Sequence, residues 1–272
     1  MTRIDLFLSV AGSINTPFYQ EFPPADDLRA FVACTWVRLV RQSGGKALDA
    51  ILPDGCADIM AYNDQPPRVA GPDAITRRVK LSDGLAITGI RLRPGACRAI
   101  LGCPAEQLVN GSMLLSDIAT GATELHRRLL LSDNLFTRLA LLESWVRSAL
   151  ERVTANDRAV IAACRLLGAN PKIEISDVAR HLEWNARMIH RQFIAACGYS
   201  PKHFQRIMRI QGALRTAHSP QIVGLGDLAA AAGYADQAHM TRDFRDITGF
   251  TPAAYFADTA RLGWGAWINE DW

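Results

Sequence analysis

Apolar and polar residues alternate in short runs through the first hundred positions, at Phe31–Val40, Ala47–Pro53, Ala57–Tyr62 and Ala86–Arg93. The runs are separated by Ser-Gly-Gly, Pro-Asp-Gly, Asp-Gln-Pro-Pro and Ser-Asp-Gly, which are turn-forming sequences, so this part of the chain predicts a sheet-rich domain. Near Pro94 the spacing lengthens to three and four, and Pro94 and Pro104 stand where first-turn residues of short helices fall. From Leu114 to Val153 two longer helices are predicted. Leu125 and Leu129 stripe the first, Leu135, Leu139, Leu142, Val146 and Leu150 the second, and Ser132-Asp133-Asn134 supplies a loop and an N-cap. Such stripes can pack within their own domain or against a second copy of the chain. Val153–Asp157 is short and polar, with Asn156 or Asp157 able to cap the next helix, and the domain boundary is placed there. Arg158–Asp258 reads as about seven helices, capped at Ser176, Asn185, Ser200, Gly226 or Asp227, Asp236 and Thr251.

The chain has 272 residues, 49% of them apolar and 21% charged, which gives two domains enough core and excludes a disordered, collagen-like or coiled-coil protein. Nowhere do about 18 apolar residues run without a charge, as a membrane-spanning helix requires. The apolar stub in Met1–Ser13 is interrupted by Asp5 and is too weak for a signal peptide, so a cytoplasmic protein with no membrane partner is expected. Six scattered cysteines without a CxxC pair read as reduced, buried residues, and they lack the spacing of a metal site. The net charge of +3 is unevenly divided: residues 1–157 sum to zero, 158–251 to +5 and 252–272 to −2. Five of the six histidines also fall in the basic middle block, which suits a polyanion-binding module.

That block repeats itself. At an offset of 51, Asn185 aligns with Asp236, Arg191 with Arg242, Phe193 with Phe244, Gly198 with Gly249, Tyr199 with Phe250, Ser200 with Thr251 and Pro201 with Pro252. Upstream the offset becomes 50, pairing Asp177 with Asp227, Val178 with Leu228, Ala179 with Ala229 and Trp184 with Tyr234. Each copy has the parts of a helix-turn-helix: a short helix with small Ala179 or Ala229 at the crossing, a tight turn, a cap and a second helix. The expected fold is therefore an α+β N-terminal domain followed by an all-α C-terminal domain with two helix-turn-helix units joined by a long helix. Arg187, His190 and Arg191 in the first unit, and Gln237, Ala238, Thr241 and Arg242 in the second, fall on the outer face of the second helix, where such side chains suit base edges of double-stranded DNA. Lys172, Asn185, Lys202, Arg206, Arg209, His239 and Arg245 are expected at phosphates.

Residues 158–258 resemble the DNA-binding domain of the AraC/XylS family of bacterial transcription regulators, most closely through Asp227–Tyr255 with its Phe-Arg-Asp-Ile-Thr-Gly-Phe-Thr-Pro-Ala-Ala-Tyr ending. The resemblance implies a cytoplasmic, nucleoid-associated bacterial regulator without a cofactor or catalytic activity. It implies two recognition helices in consecutive major grooves, a possible homodimer and, for an activator, contact with RNA polymerase. The base-contacting positions it implies fall on the seven recognition-helix residues named above. The family commonly has Gly where this chain has Glu183, at a turn that can require positive φ.

The N-terminal segments Leu52–Met60 and Gly89–Ala96 resemble a sensor-type domain that often precedes that module. Asp54, Cys56, Asp58, Arg91 and Arg93 are the candidate contacts for a small-molecule effector, or the polar groups of an ordinary Pro-Asp-Gly turn. Two alternatives stay open: a ligand-free dimerisation or protein-interaction module, and a redox or alkylation sensor at Cys56 with its thiol pKa lowered by Arg91 or Arg93. The expected divisions are a regulatory domain over residues 1–110, a helical connector over 111–155, the DNA-binding domain over 156–258 and a Trp-rich acidic tail over 259–272 that packs into a groove or covers the basic face.

Overall fold

The computed structural model describes residues 18–40, 48–62, 64–170, 172–217 and 219–257. The expectations for the first 13 residues and for the Trp-rich tail lie outside the described residues.

Among the described residues, eight strands lie in the N-terminal domain: β1 Phe18–Phe22, β2 Val32–Leu39, β3 Leu48–Ile51, β4 Ala57–Tyr62, β5 Arg68–Ala70, β6 Arg77–Lys80, β7 Ala86–Leu92 and β8 Ser112–Leu114. Six build an antiparallel sheet in the order β1-β2-β7-β4-β5-β8, and β3 pairs with β6 in a separate ribbon. Period-two alternation assigns the sheet's faces. Ala57, Ile59 and Ala61 of β4 and Ile90 and Leu92 of β7 join a core with the helices that come after them, while Cys34, Trp36 and Ile87 form a small cluster on the opposite face. The four predicted strands are present; β1, β5, β6 and β8 were not predicted.

Helix α1 (Cys97–Leu101) precedes β8, and α2 (Ala122–Leu130) and α3 (Leu135–Ala149) come after it. Asn134 caps α3 through bonds accepted from the Phe136 and Thr137 amides. The structure differs from the expected separate connector. Residues 112–114 pair with β5, and the stripes Leu125, Leu129 and Leu139, Leu142, Val146 are buried in the sheet's own core, so this stretch completes the N-terminal domain.

Seven helices complete the described chain: α4 (Ala155–Ala169), α5 (Ile175–His181), α6 (Ala186–Cys197), α7 (Pro201–Thr216), α8 (Leu225–Ala231), α9 (Gln237–Thr248) and α10 (Pro252–Ala257). Thr154, not Asn156 or Asp157, caps α4; Asp157 answers as the third residue of a capping box. The first helix of each unit starts earlier than expected, after Glu174 and Gly224.

The two units fold alike in detail. α6 and α9 each have 12 residues, are capped by Asn185 and Asp236 side chains and end on left-handed Gly198 and Gly249. In the turns, the Trp184 amide donates to the Ala179 carbonyl at 2.8 Å and the Tyr234 amide to Ala229 at 2.9 Å. The tight turn takes φ 82° at Gly233 but φ 56° at Glu183, where a Cβ crowds the backbone. Glu183→Gly is expected to stabilise the protein by about 1 kcal/mol, read as a higher thermal unfolding midpoint.

Candidate functional site

The recognition helices present their expected faces to solvent. Val178, Ala179, Ile189 and Phe193 are buried in the first unit, and Leu228, Ala229, Met240 and Phe244 in the second. This leaves Arg187, His190 and Arg191 exposed on α6 and Gln237, Ala238 and Arg242 exposed on α9. Thr241 is half-buried, its hydroxyl donating to the Gln237 carbonyl at 2.8 Å. Between the units, α7 has 16 residues, a length of roughly 24 Å at 1.5 Å per residue.

The residues expected at phosphates divide into two groups. Lys172, Asn185, Lys202 and Arg245 are exposed, although the Asn185 side-chain Oδ1 already accepts from the Met188 amide. The structure turns Arg206, Arg209 and His239 inward instead. Arg206 Nε lies 2.9 Å from Asp243 and its Nη2 2.8 Å from Asp246. Arg209 reaches Asp243 at 3.4 Å with its guanidinium 4.9 Å above the Tyr234 ring, and His239 Nε2 is 3.8 Å from the same carboxylate. Arg206 and Arg209 tie α7 to α9, because Asp243 is 6% exposed and needs the positive charge that these two guanidinium groups supply.

In the N-terminal domain, the sheet and the β3–β6 ribbon enclose a cavity of about 90 Å³. Asp54, Cys56, Asp58 and Arg91 all line it; Arg93 does not. β7 ends at Leu92, and Arg93 instead donates to the Arg29 carbonyl and borders a cleft against α4. Trp36, Tyr19, Asp73 and Arg77 also line the cavity and were not anticipated. The Cys34-Trp36-Arg38 alternation in β2 is the sequence signal for Trp36, whereas Tyr19 comes from β1, Arg77 from β6 and Asp73 from the loop between β5 and β6, none of which the pattern predicts.

Asp54 makes the Pro-Asp-Gly turn by accepting from the Cys56 amide at 2.8 Å. Burial pushes its carboxyl above the ordinary value, against the pull of Arg91. Burial likewise raises Asp73 to about 6 despite Arg77 alongside. For Cys56 the structure gives the buried thiol expected of most of the cysteines and speaks against the sensor alternative: burial, reinforced by Asp54, holds the thiol well above its ordinary pKa, and Arg91 does not compensate. Cys103 is the one cysteine that is not buried. Brief iodoacetamide treatment of the native protein should therefore label Cys103 first and leave Cys56 unmodified until unfolding, as mass spectrometry would report.

The two loops that carry Asp54 and Asp73 also hold the DNA-binding domain. Gln211 of α7, 3% exposed, donates to the Pro53 carbonyl at 2.7 Å. His203 Nε2 lies 2.9 Å from the Ala74 carbonyl, and the Thr76 amide donates to Ile247 of α9 at 2.9 Å. Leu52 is buried in the core of the helical domain. Elsewhere Arg98 of α1 bridges Asp157 of α4 at 2.7 Å and Gln192 of α6 at 2.9 Å.

The fold and the repeated unit define a DNA-binding domain with two helix-turn-helix units. A family model described as a helix-turn-helix domain matches residues 178–258, which form a domain of the AraC type, and one described as a domain of unknown function matches residues 20–113. No curated protein matches the chain. Among solved structures, ToxT from Vibrio cholerae O395 is similar at 8% identity and a TM-score of 0.43, over 89% of this chain and 96% of that one. A 1.65 Å structure of ToxT from Vibrio cholerae gives 11% identity and a TM-score of 0.43, over 89% and 97%. Among the described residues, no helix is long and apolar enough to cross a membrane.

Proposed function

We propose that this protein is a sequence-specific transcription regulator that places α6 and α9 in consecutive major grooves of duplex DNA and adjusts that placement to a small molecule held in the N-terminal cavity. The repeat carries the DNA-reading half. Two units with the same caps, turn bonds and glycine ends expose their second helices, and the linking helix has a length of the order needed for sites about one helical turn apart. Arg187, His190 and Arg191 read one element and Gln237, Ala238, Thr241 and Arg242 the other, while Lys172, Lys202 and Arg245 bind phosphates.

The effector half rests on the interdomain bonds. Both cavity loops, at Asp54 and at Asp73, are anchored to α7 and α9, so a ligand that moves either loop alters what those helices rest on. Arg242→Ala is expected to cost about 1–3 kcal/mol on the preferred site and to relax preference at one base pair, whereas Lys202→Ala weakens binding to all sequences alike. Competition binding with single-base variants of the site separates the two. An equal loss for Arg242→Ala on preferred and random DNA would make Arg242 a phosphate contact and remove it from the reading face.

A further inference from the structure

Three carboxylates on the cavity side of the sheet share one guanidinium. Arg91 lies 3.1 Å from Asp58, 3.4 Å from Glu21 and 3.9 Å from Asp54, the last too long for a hydrogen bond. Asp73, by contrast, is matched one to one, with Arg77 Nε at 3.0 and 3.1 Å from its two oxygens.

Strand register spreads these groups along the cavity. Cys34, Arg91 and Asp58 form one row across β2, β7 and β4; Trp36, Gly89 and Met60 form the next; Arg38, Ile87 and Tyr62 form the third. Two residues of strand advance about 6.6 Å, so the backbone at Arg38 stands roughly 13 Å from the acidic row. The acidic end therefore keeps an excess of carboxylate that Arg38 does not offset at contact. In the middle row the Trp36 indole lies against Gly89 so closely that no Cβ fits beneath it, and the Tyr19 ring packs beside it with centroids 5.7 Å apart. Since a cavity of about 150 Å³ accommodates benzene, the enclosed space here takes roughly four non-hydrogen atoms.

We infer that the cavity binds a small organic cation, its ammonium or amidinium head between Asp54 and Asp58 and its apolar body against Trp36 and Met60. This assignment rests on the effector reading of the same cavity and adds the ligand's chemistry to it. A positive head meets the uncompensated carboxylate charge at a site with little water, and an N–H donor gives Asp54 the short partner that Arg91 does not supply. Burial raises the Asp54 carboxyl, as expected where positive charge is short, and a bound cation supplies that charge.

Propylamine, 1-propanol and propionate share a three-carbon skeleton and differ in the head group. Each is titrated into the full chain at constant ionic strength, following the Trp36 indole N–H, which donates to Asp58 at 2.8 Å and is assigned with Trp36→Phe. The expected result is a saturable shift with propylamine that weakens at least tenfold in Asp54→Asn and disappears in Met60→Phe, which fills the apolar body of the cavity without touching a carboxylate. Saturation by propionate or propanol in preference to propylamine overturns the cation assignment and leaves the effector reading standing. The same holds for an amine affinity unchanged in Asp54→Asn. No saturable shift with any probe also overturns the assignment. DNA affinity measured in parallel isolates the other reading: Asp54-dependent propylamine binding that leaves DNA affinity unchanged keeps the cation site and refutes effector control.

Discussion

Gly55→Ala is expected to lower folding stability by about 2–5 kcal/mol, against about 1–2 kcal/mol for Gly102→Ala. Both glycines sit in the left-handed region, at φ 83° and 77°, so the backbone penalty is common to the two. The surroundings differ. A Cβ at Gly55 would fall 2.8 Å from Phe204 Cε2 and 3.1 Å from Pro94 Cγ, whereas Gly102 has nothing within 4 Å. Phe204 is completely buried in the helical core and cannot swing aside without opening it. Urea denaturation of the two variants beside the parent protein isolates the packing contribution as their difference. Because Gly55 packs against Phe204 and Met208 of α7, that difference also measures how tightly the cavity loop is seated on the helical domain. Equal costs at the two positions would contradict the close seating.

Arg91→Met is expected to cost about 3–5 kcal/mol at neutral pH, because it strips the shared counter-charge from three carboxylates at a largely buried site. Arg91 itself is 8% exposed; burial opposes its charge, but Asp58 and the other acidic neighbours outweigh that and hold it firmly protonated. The loss should shrink on acidification. Without Arg91, the folded carboxyls hold protons more tightly than the unfolded ones, so stability recovers as pH falls through their raised pKa values, down to about 4 where the unfolded carboxyls also protonate. In the parent protein Asp73 stands at about 6 and favours the folded state increasingly as pH falls through that value, and Asp54, also raised by burial, acts in the same direction. Asp157 works in the opposite sense. Burial opposes its charge, yet bonds from Thr154 and Arg98 hold its pKa below the ordinary value, and its contribution is lost as pH falls through that lowered pKa. Denaturation at several pH values should therefore show the gap between Arg91→Met and the parent narrowing towards pH 4. A gap independent of pH would mean that the carboxylates do not depend on Arg91.

The helix-turn-helix repeat was legible because its determinants are local. Asn185 and Asp236 cap helices that begin on the next residue, and Gly198 and Gly249 end them, so each unit declares its limits within about twenty residues of sequence. Strand β6 was not legible, since Arg77–Lys80 has one apolar residue in four and owes its extended form to pairing with β3. Asp58 and Arg91 were named together from motifs, but what joins them is register: they face each other across β4 and β7. Arg93 has the same parity as Arg91, and only the end of the strand at Leu92 sends it elsewhere. Arg206 and Arg209 read as phosphate ligands because sequence displays charge without its partner. Asp243, 37 and 34 residues away, becomes that partner only when α7 and α9 cross.

The same crossing joins the cavity to the second helix-turn-helix unit. The cavity loops rest on α7 and α9, α9 is the second helix of the second helix-turn-helix unit, and Arg206 and Arg209 tie it to α7 through Asp243. A change at Asp54 or Asp73 thus has a short route to Gln237 and Arg242 that passes through packed backbone and ion pairs.

Selection of the purified protein on a randomised duplex pool at two salt concentrations, with sequencing of the retained fraction, tests the central claim most directly. The account predicts an enriched site with two short elements about 10 base pairs apart, one of which loses definition with Arg187→Ala and the other with Arg242→Ala. Salt-sensitive retention without an enriched sequence would contradict it, reducing the C-terminal domain to a basic helical surface and withdrawing the reading residues.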